Sequence, residues 1–328
     1  MKDIAKRSGV SLITVSRVVN NSGYVGKATR ARVEDAIREL NYIPNMVASS
    51  LRSRQSDLLA LLLPDITNSF WTSIARGAED EAWASGYGVF ICNTDNDTEK
   101  EAAYIERLIR RRVGGVLFVP TPTTESQEQL ARLRNHNVNF VIVHRRLQES
   151  IADVVRSDGE TATRKLTDEL IRRGSRRIAF VGLPLVDETS SDRLEGFRRS
   201  LKQAGIALDP ELIQTGDVGD GSGGVQLVRA LLDMKHPPDA ILLANSRLAI
   251  GGLRAIDEAG LQLQTDIHVA AFHDINTMDH HASRLIRAVQ PSYKMGQLAT
   301  RRLLEISTQT TPSIREIILE SEIHVPPS

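Results

Sequence analysis

Cysteine is nearly absent: the 328 residues contain one, Cys92. A single thiol excludes an internal disulfide and a zinc site built from several cysteines. It lies in YGVFICNT, which reads as a buried strand, so core packing is its expected role. No run of about 18 apolar residues is present, which excludes a membrane-spanning helix. The opening MKDIAKRSGV carries charges where a secretory signal would place its apolar stretch, so a cytoplasmic chain is expected. An excess of either charge is also missing, since 41 Lys and Arg balance 41 Asp and Glu. That balance hides an asymmetry. Residues 1–56 hold ten basic and four acidic residues, and the remainder holds 31 against 37. A basic N-terminal module on an acidic body suits a polyanionic partner.

The first segment reads as three short helices. KDIAKRSG ends at Gly9, a natural left-handed helix stop, and Ser11 is a good N-cap for a second helix from Leu12 to about Asn20. The third carries Val33, Ala36, Ile37 and Leu40 at amphipathic spacing and stops before Pro44. A helix, a tight glycine-containing turn and a capped second helix form a helix-turn-helix. On a wheel of about 100° per residue, Val15, Val18 and Val19 share one side of the second helix. Ile13, Ser16, Arg17 and Asn20 share the other, with Leu12 at the boundary. Arginine forks onto guanine and an aliphatic group meets the thymine methyl in a major groove. Ile13 is therefore either a base reader or a contact to a neighbouring segment of its own domain, and the wheel leaves both open.

GVSLITVSRVVNNSGYV, followed by TRARVEDAIRELNYIPNMVASSLRS, resembles the DNA-binding domain of the lactose/galactose-repressor family across residues 2–54. The resemblance implies that Leu12, Ile13 and Arg17 read bases, that Ser11, Thr14, Ser16 and Asn20 contact or position phosphates, and that Tyr24 adds a further DNA contact. It also implies a hinge helix over residues 45–52. There Leu51 would wedge into a central minor-groove step, with Ala48 on the same face and Asn45 near the backbone. The implied domains are a DNA-binding head, 1–44, a hinge and linker, 45–57, and a core, 58–328.

From Leu58 the pattern changes. Short apolar strands (LLALLLPD, YGVFICNT, GVLFVPT, NFVIVHR) alternate with helical stretches at 69–85, 98–112 and 123–136. The alternation restarts near residue 158 with RIAFVG, LIQTGDV, DAILLAN and IHVAAFH. Repeated β-α units imply an α/β fold with parallel sheets covered by helices, here in two lobes. Ligands of such folds bind beyond the carboxyl ends of the strands, so two facing lobes imply a cleft. The stretch is similar to the family's periplasmic-binding-protein-like domain. Three chain crossings are implied near 157, 288 and 312, giving a first lobe of 58–157 plus 289–312 and a second of 158–288 plus 313–328.

By the same resemblance, Asn68, Phe70 and Trp71 of PDITNSFW would flank a ligand, with Ser69 where sugar-binding relatives have proline. Arg193 of SSDRLEGF would clamp the ligand, Asn245 of LLANSRLAIG would bind it, and Gln290 of VQPSY would sit at a crossing. His144, before Arg145, and His273 stand where relatives carry aspartate, and Ser246 replaces a third acid. Fewer acceptors and more potential cations favour an anionic effector such as a sugar acid, keto-acid or sugar phosphate. The alternative is a neutral sugar with Asp274 swung in.

The remaining motifs read as structure. GDGSGG, Gly219 to Gly224, matches the dinucleotide pattern but lies in the second lobe without an acid about 20 residues on, so a loop capping the next helix is expected. HDINTMDHH reads as a solvated loop and RLIRRR as a helix C-terminus whose cations suit the dipole. No paired carboxylates, nucleophile elbow or phosphate loop supports an enzyme, and neither a cofactor nor a metal is expected. A sequence-specific regulator remains, acting as a homodimer on a palindromic operator. The closing HVPPS lacks the leucine heptads by which some relatives form tetramers.

Overall fold

The computed structural model describes residues 1–20, 22–42, 56–147, 152–186, 188–217, 222–272, 284–308 and 313–327. The expected hinge, with Asn45, Ala48 and Leu51, and the loop with His273 and Asp274 lie outside them. The chain divides into two units, Met1–Ser56 and Asp57–Ser328.

The first unit holds α1 (Lys2–Ser8), α2 (Leu12–Val19) and α3 (Lys27–Glu39). Gly9 ends α1 at φ 67°, a conformation that costs glycine nothing. The Ser11 hydroxyl accepts the Thr14 amide at 3.2 Å and opens α2. Ile4, Val15, Val18, Val33 and Ala36 form the core of the head. Leu40 departs from the expected stripe: α3 ends at Glu39, and Leu40 at its C-cap is exposed.

In the second unit the first sheet has the order β11-β5-β4-β3-β1-β2. It comprises β1 (Leu58–Leu63), β2 (Gly88–Asn93), β3 (Gly115–Phe118), β4 (Phe140–Val143), β5 (Asp153–Ser157) and β11 (Glu316–Leu319), all parallel. Strand period sorts its side chains. Leu59, Leu61 and Leu63 face α4 (Ser69–Ala84) and α11 (Ser292–Thr308). Ala60 and Leu62 face the opposite helices, α5 (Thr98–Arg111) and α6 (Glu125–Asn135). Cys92 is fully buried in that second layer.

The second sheet runs β12-β10-β9-β8-β6-β7, from β6 (Ile178–Gly182), β7 (Ile213–Thr215), β8 (Ala240–Leu243), β9 (His268–Phe272), β10 (Ile286–Val289) and β12 (Glu322–His324). Helices α9 (Gly223–Leu232) and α10 (Ser246–Glu258) cover one face, and α7 (Gly159–Arg172) and α8 (Glu188–Gln203) the other. Parallel pairing was expected throughout, yet β12 runs antiparallel to β10, as an edge strand can without a crossover helix.

Three helix pairs meet through glycine. A Cβ on Gly77 of α4 would lie 1.9 Å from the Tyr293 carbonyl oxygen of α11, and one on Gly296 would lie 2.0 Å from that of Ile74. Gly196 of α8 and Gly224 of α9 approach the carbonyls of Glu160 and Leu248 in the same way. The last glycine of GDGSGG therefore serves close helix packing.

The chain passes between lobes after β5, after β10, and between β11 and β12. The third crossing corrects the expected position near 312. β11 pairs with β5 in the first sheet, so residues 313–319 belong to the first lobe and the crossing falls at Glu320–Ser321. The half-exposed EIIL of β11 had no buried run to mark it as lobe-one sheet. The three crossings adjoin one another: Leu319 pairs with Ser157, Val289 with Glu322, and the Ser157 hydroxyl donates to Gln290 Oε1 at 2.8 Å.

Candidate functional site

On α2, Val15 and Val18 are buried while Ile13 is 66% exposed. The alternative that Ile13 packs within its own domain finds no support among the described residues. Leu12 and Arg17 are exposed beside it, Ser11 and Asn20 are exposed, and Thr14 and Ser16 are half-buried. Tyr24 is 91% exposed. Asn20 Nδ2 donates to the Ser16 carbonyl at 2.8 Å and to its hydroxyl at 3.1 Å, so these two polar groups are held as a unit. The Arg17 stem runs beside Gly23, whose φ of 72° leaves that side without a Cβ.

The second unit encloses a cavity of about 450 Å³ between its lobes. It is lined by Asn68, Phe70, Trp71, His144, Arg145, Arg193, Asn245 and Gln290, every expected effector residue except His273. Asn68 and Asn245 follow strands β1 and β8 and cap α4 and α10. The Asn68 side-chain oxygen accepts the Phe70 amide at 3.0 Å, and that of Asn245 accepts the Arg247 amide at 2.9 Å. Capping occupies these oxygens and turns both amide nitrogens into the groups for a ligand. On the second lobe, the buried Arg193 donates to the Ala244 carbonyl at 2.5 Å and to Gln290 Oε1 at 3.3 Å. Its guanidinium stacks over Phe272 at 4.1 Å.

His144 does not supply the cation expected of it. The residue is buried and its ring meets Phe70 at 4.7 Å and Trp71 at 5.2 Å, edge to face. Burial first, then Arg193 and Arg145, holds its pKa well below the ordinary 6.5. The imidazole is neutral, and its Nδ1 is buried with no hydrogen-bond partner among the described residues. The backbone at His144 has φ 68°, a left-handed strain that collects at functional positions. Arg145 beside it donates to Asn96 Oδ1 at 2.7 Å and to the Pro120 carbonyl at 3.0 Å.

Sequence reasoning missed Asp65, Asp217 and Arg247, which also line the cavity. Arg247 of the second lobe pairs with Asp65 of the first at 3.1 Å and donates to the Thr67 hydroxyl at 3.3 Å. A signal was available, because Asp65 and Asp217 closely follow the carboxyl ends of β1 and β7. Three guanidiniums thus face two carboxylates in the cavity, so the acids thought to be lost are partly replaced. Among the described residues no group of three metal-ligating side chains occurs, and no helix is long and apolar enough to cross a membrane.

A helix-turn-helix head on a two-lobed body with an interlobe cavity defines a DNA-binding regulator with a small-molecule site. The chain belongs to the lacI family of bacterial regulatory proteins: residues 1–45 match that family. Residues 56–323 match the periplasmic binding proteins and sugar binding domain of LacI family. The chain is 31% identical over 324 residues to the HTH-type transcriptional regulator RegA of Clostridium saccharobutylicum, covering 98% of this chain and 97% of that one. It is 33% identical over 311 residues to the ribose operon repressor of Escherichia coli K12, covering 95% and 94%. The lac repressor dimer bound to operator and the anti-inducer ONPF superposes with a TM-score of 0.86 at 28% identity, over 98% of this chain and 96% of that one. These relatives regulate transcription, and this chain is a DNA-binding transcriptional repressor with a sugar-binding-type domain rather than an enzyme.

Proposed function

We propose that the chain acts as a homodimer on a palindromic operator, released or recruited by an acidic sugar derivative held between the lobes. The observation that carries the reading is Ile13, 66% exposed opposite the buried Val15 and Val18. Leu12, Ile13 and Arg17 then read bases, while Ser11, Thr14, Ser16, Asn20 and Tyr24 contact or orient phosphates. Asn45, Ala48 and Leu51 serve the central minor groove. Dimer formation is supported by Trp83, Phe90 and Ile91, exposed at the end of α4 and on β2, whose outer edge pairs with no described strand. An acidic effector is supported by the excess of one guanidinium over carboxylates in the cavity.

Selection of bound duplexes from a random DNA library, with and without a metabolite panel, tests the reading. A palindromic consensus whose recovery changes with one acidic sugar is the expected result. Failure to enrich any palindrome would sink the operator reading, and a response confined to neutral sugars would sink the acidic effector.

A further inference from the structure

The cavity has a lip that hydroxyl and carboxylate recognition does not account for. Between β6 and α8 the chain reads Leu183, Pro184, Leu185, Val186. Leu183, Pro184 and Val186 line the cavity, with Val186 64% and Leu185 46% exposed. On the facing lobe Pro64 and Pro122 also line it, and Ile66, next to the lining residue Asp65, is exposed. Single exposed aliphatics are ordinary, but several around one concavity mark a binding surface. The polar groups lie elsewhere in the same space: Arg193, Gln290 and His144 are each more than nine-tenths buried, and His144 brings an unpartnered Nδ1. Sites of this size class, about 300–1,000 Å³, bury most of a drug-sized ligand through apolar contact and orient it with a few polar groups.

We propose that the effector is a two-part molecule, a hydroxylated or acidic head carrying an apolar, ring-sized substituent, and that the Leu183–Val186 lip is the substituent's subsite. The head seats on Arg193, Asn245 and Gln290, and the substituent lies between the lip and the prolines of the first lobe. This rests on the effector-controlled reading above and specifies the ligand class of that site.

Calorimetric titration of the full chain with matched pairs tests it: glucuronate against phenyl β-glucuronide, glucose against phenyl β-glucoside, galactose against phenyl β-galactoside. In at least one pair the phenyl compound should bind at least about tenfold more tightly than its parent, equivalent to about 1.4 kcal/mol. In the Leu185→Ser/Val186→Ser variant, whose side chains are exposed, that ratio should fall to within about twofold while the melting profile stays unchanged. A parent that binds as tightly as its phenyl derivative, a ratio that survives the variant, or a panel in which no phenyl compound binds would each overturn the subsite. Operator binding is read separately. A DNA response to an unsubstituted sugar alone would leave the regulator reading standing and remove this one. A chain that selects no DNA but keeps the phenyl preference would do the reverse.

Discussion

Ile13 contributes nothing to the core of its own head, so its removal separates stability from recognition. Ile13→Ala should shift unfolding by less than about 0.5 kcal/mol, as at other exposed positions, and weaken operator binding. Val15→Ala in the fully buried core should cost about 2 kcal/mol of stability. Chemical denaturation and a DNA titration of both variants distinguish the two roles. His144 makes a prediction about pH. Its folded pKa is depressed, so below about 6.5 the unfolded chain binds the proton that the folded chain refuses. Stability should therefore fall as pH drops from about 6.5 towards the folded pKa, and His144→Gln should flatten that fall in melting profiles across the window. Burial alone pushes the Cys92 thiol up to about 12, so alkylation by iodoacetamide should be negligible in the native chain and rapid in urea.

At the scale of elements, the helix pairs of both lobes depend on glycines that a methyl group cannot replace. Gly296→Ala would drive a Cβ into the backbone of α4. It should cost at least about 1–3 kcal/mol by overpacking, seen as a lower melting temperature of the core. A buried ion pair ties α11 to β5: Arg302 Nε meets Asp153 Oδ1 at 2.6 Å, and Arg302 also donates to the Ser313 carbonyl. Arg302→Met leaves Asp153 buried without that partner and should cost about 3–5 kcal/mol, measured by denaturant unfolding. The sequence made much of this architecture readable, because strands such as LLALLL and FVIV are continuous apolar runs closed by turn residues. β11 was not readable as part of the first lobe, since EIIL alternates half-buried and exposed like any edge strand, and only its pairing with β5 assigns it. The cleft was legible where motif and strand end coincide, at Arg193, Asn245 and Gln290. The Asp65–Arg247 pair joins positions far apart in sequence, and the charge of His144 depends on rings and guanidiniums that only folding gathers around it.

For the whole molecule, the basic head predicts operator affinity that falls steeply with salt, the logarithmic slope approaching about −0.9 per phosphate neutralised. Neutralising Lys2 and Lys6 should flatten that slope, as titrations across a salt series would reveal. An effector that changes operator affinity must have its own affinity changed equally by operator, within a coupling of about 1–3 kcal/mol. The place where that coupling can act is narrow. Two bodies fastened at three adjoining points cannot slide apart; they can only turn about the seam. Ser157, Gln290 and Glu320 mark that seam, and Gln290 accepts from Arg193 on the cavity floor. A ligand seated there pushes close to the fulcrum, where a slight tilt costs little local rearrangement and is magnified along the length of the first lobe to the far end of its strands.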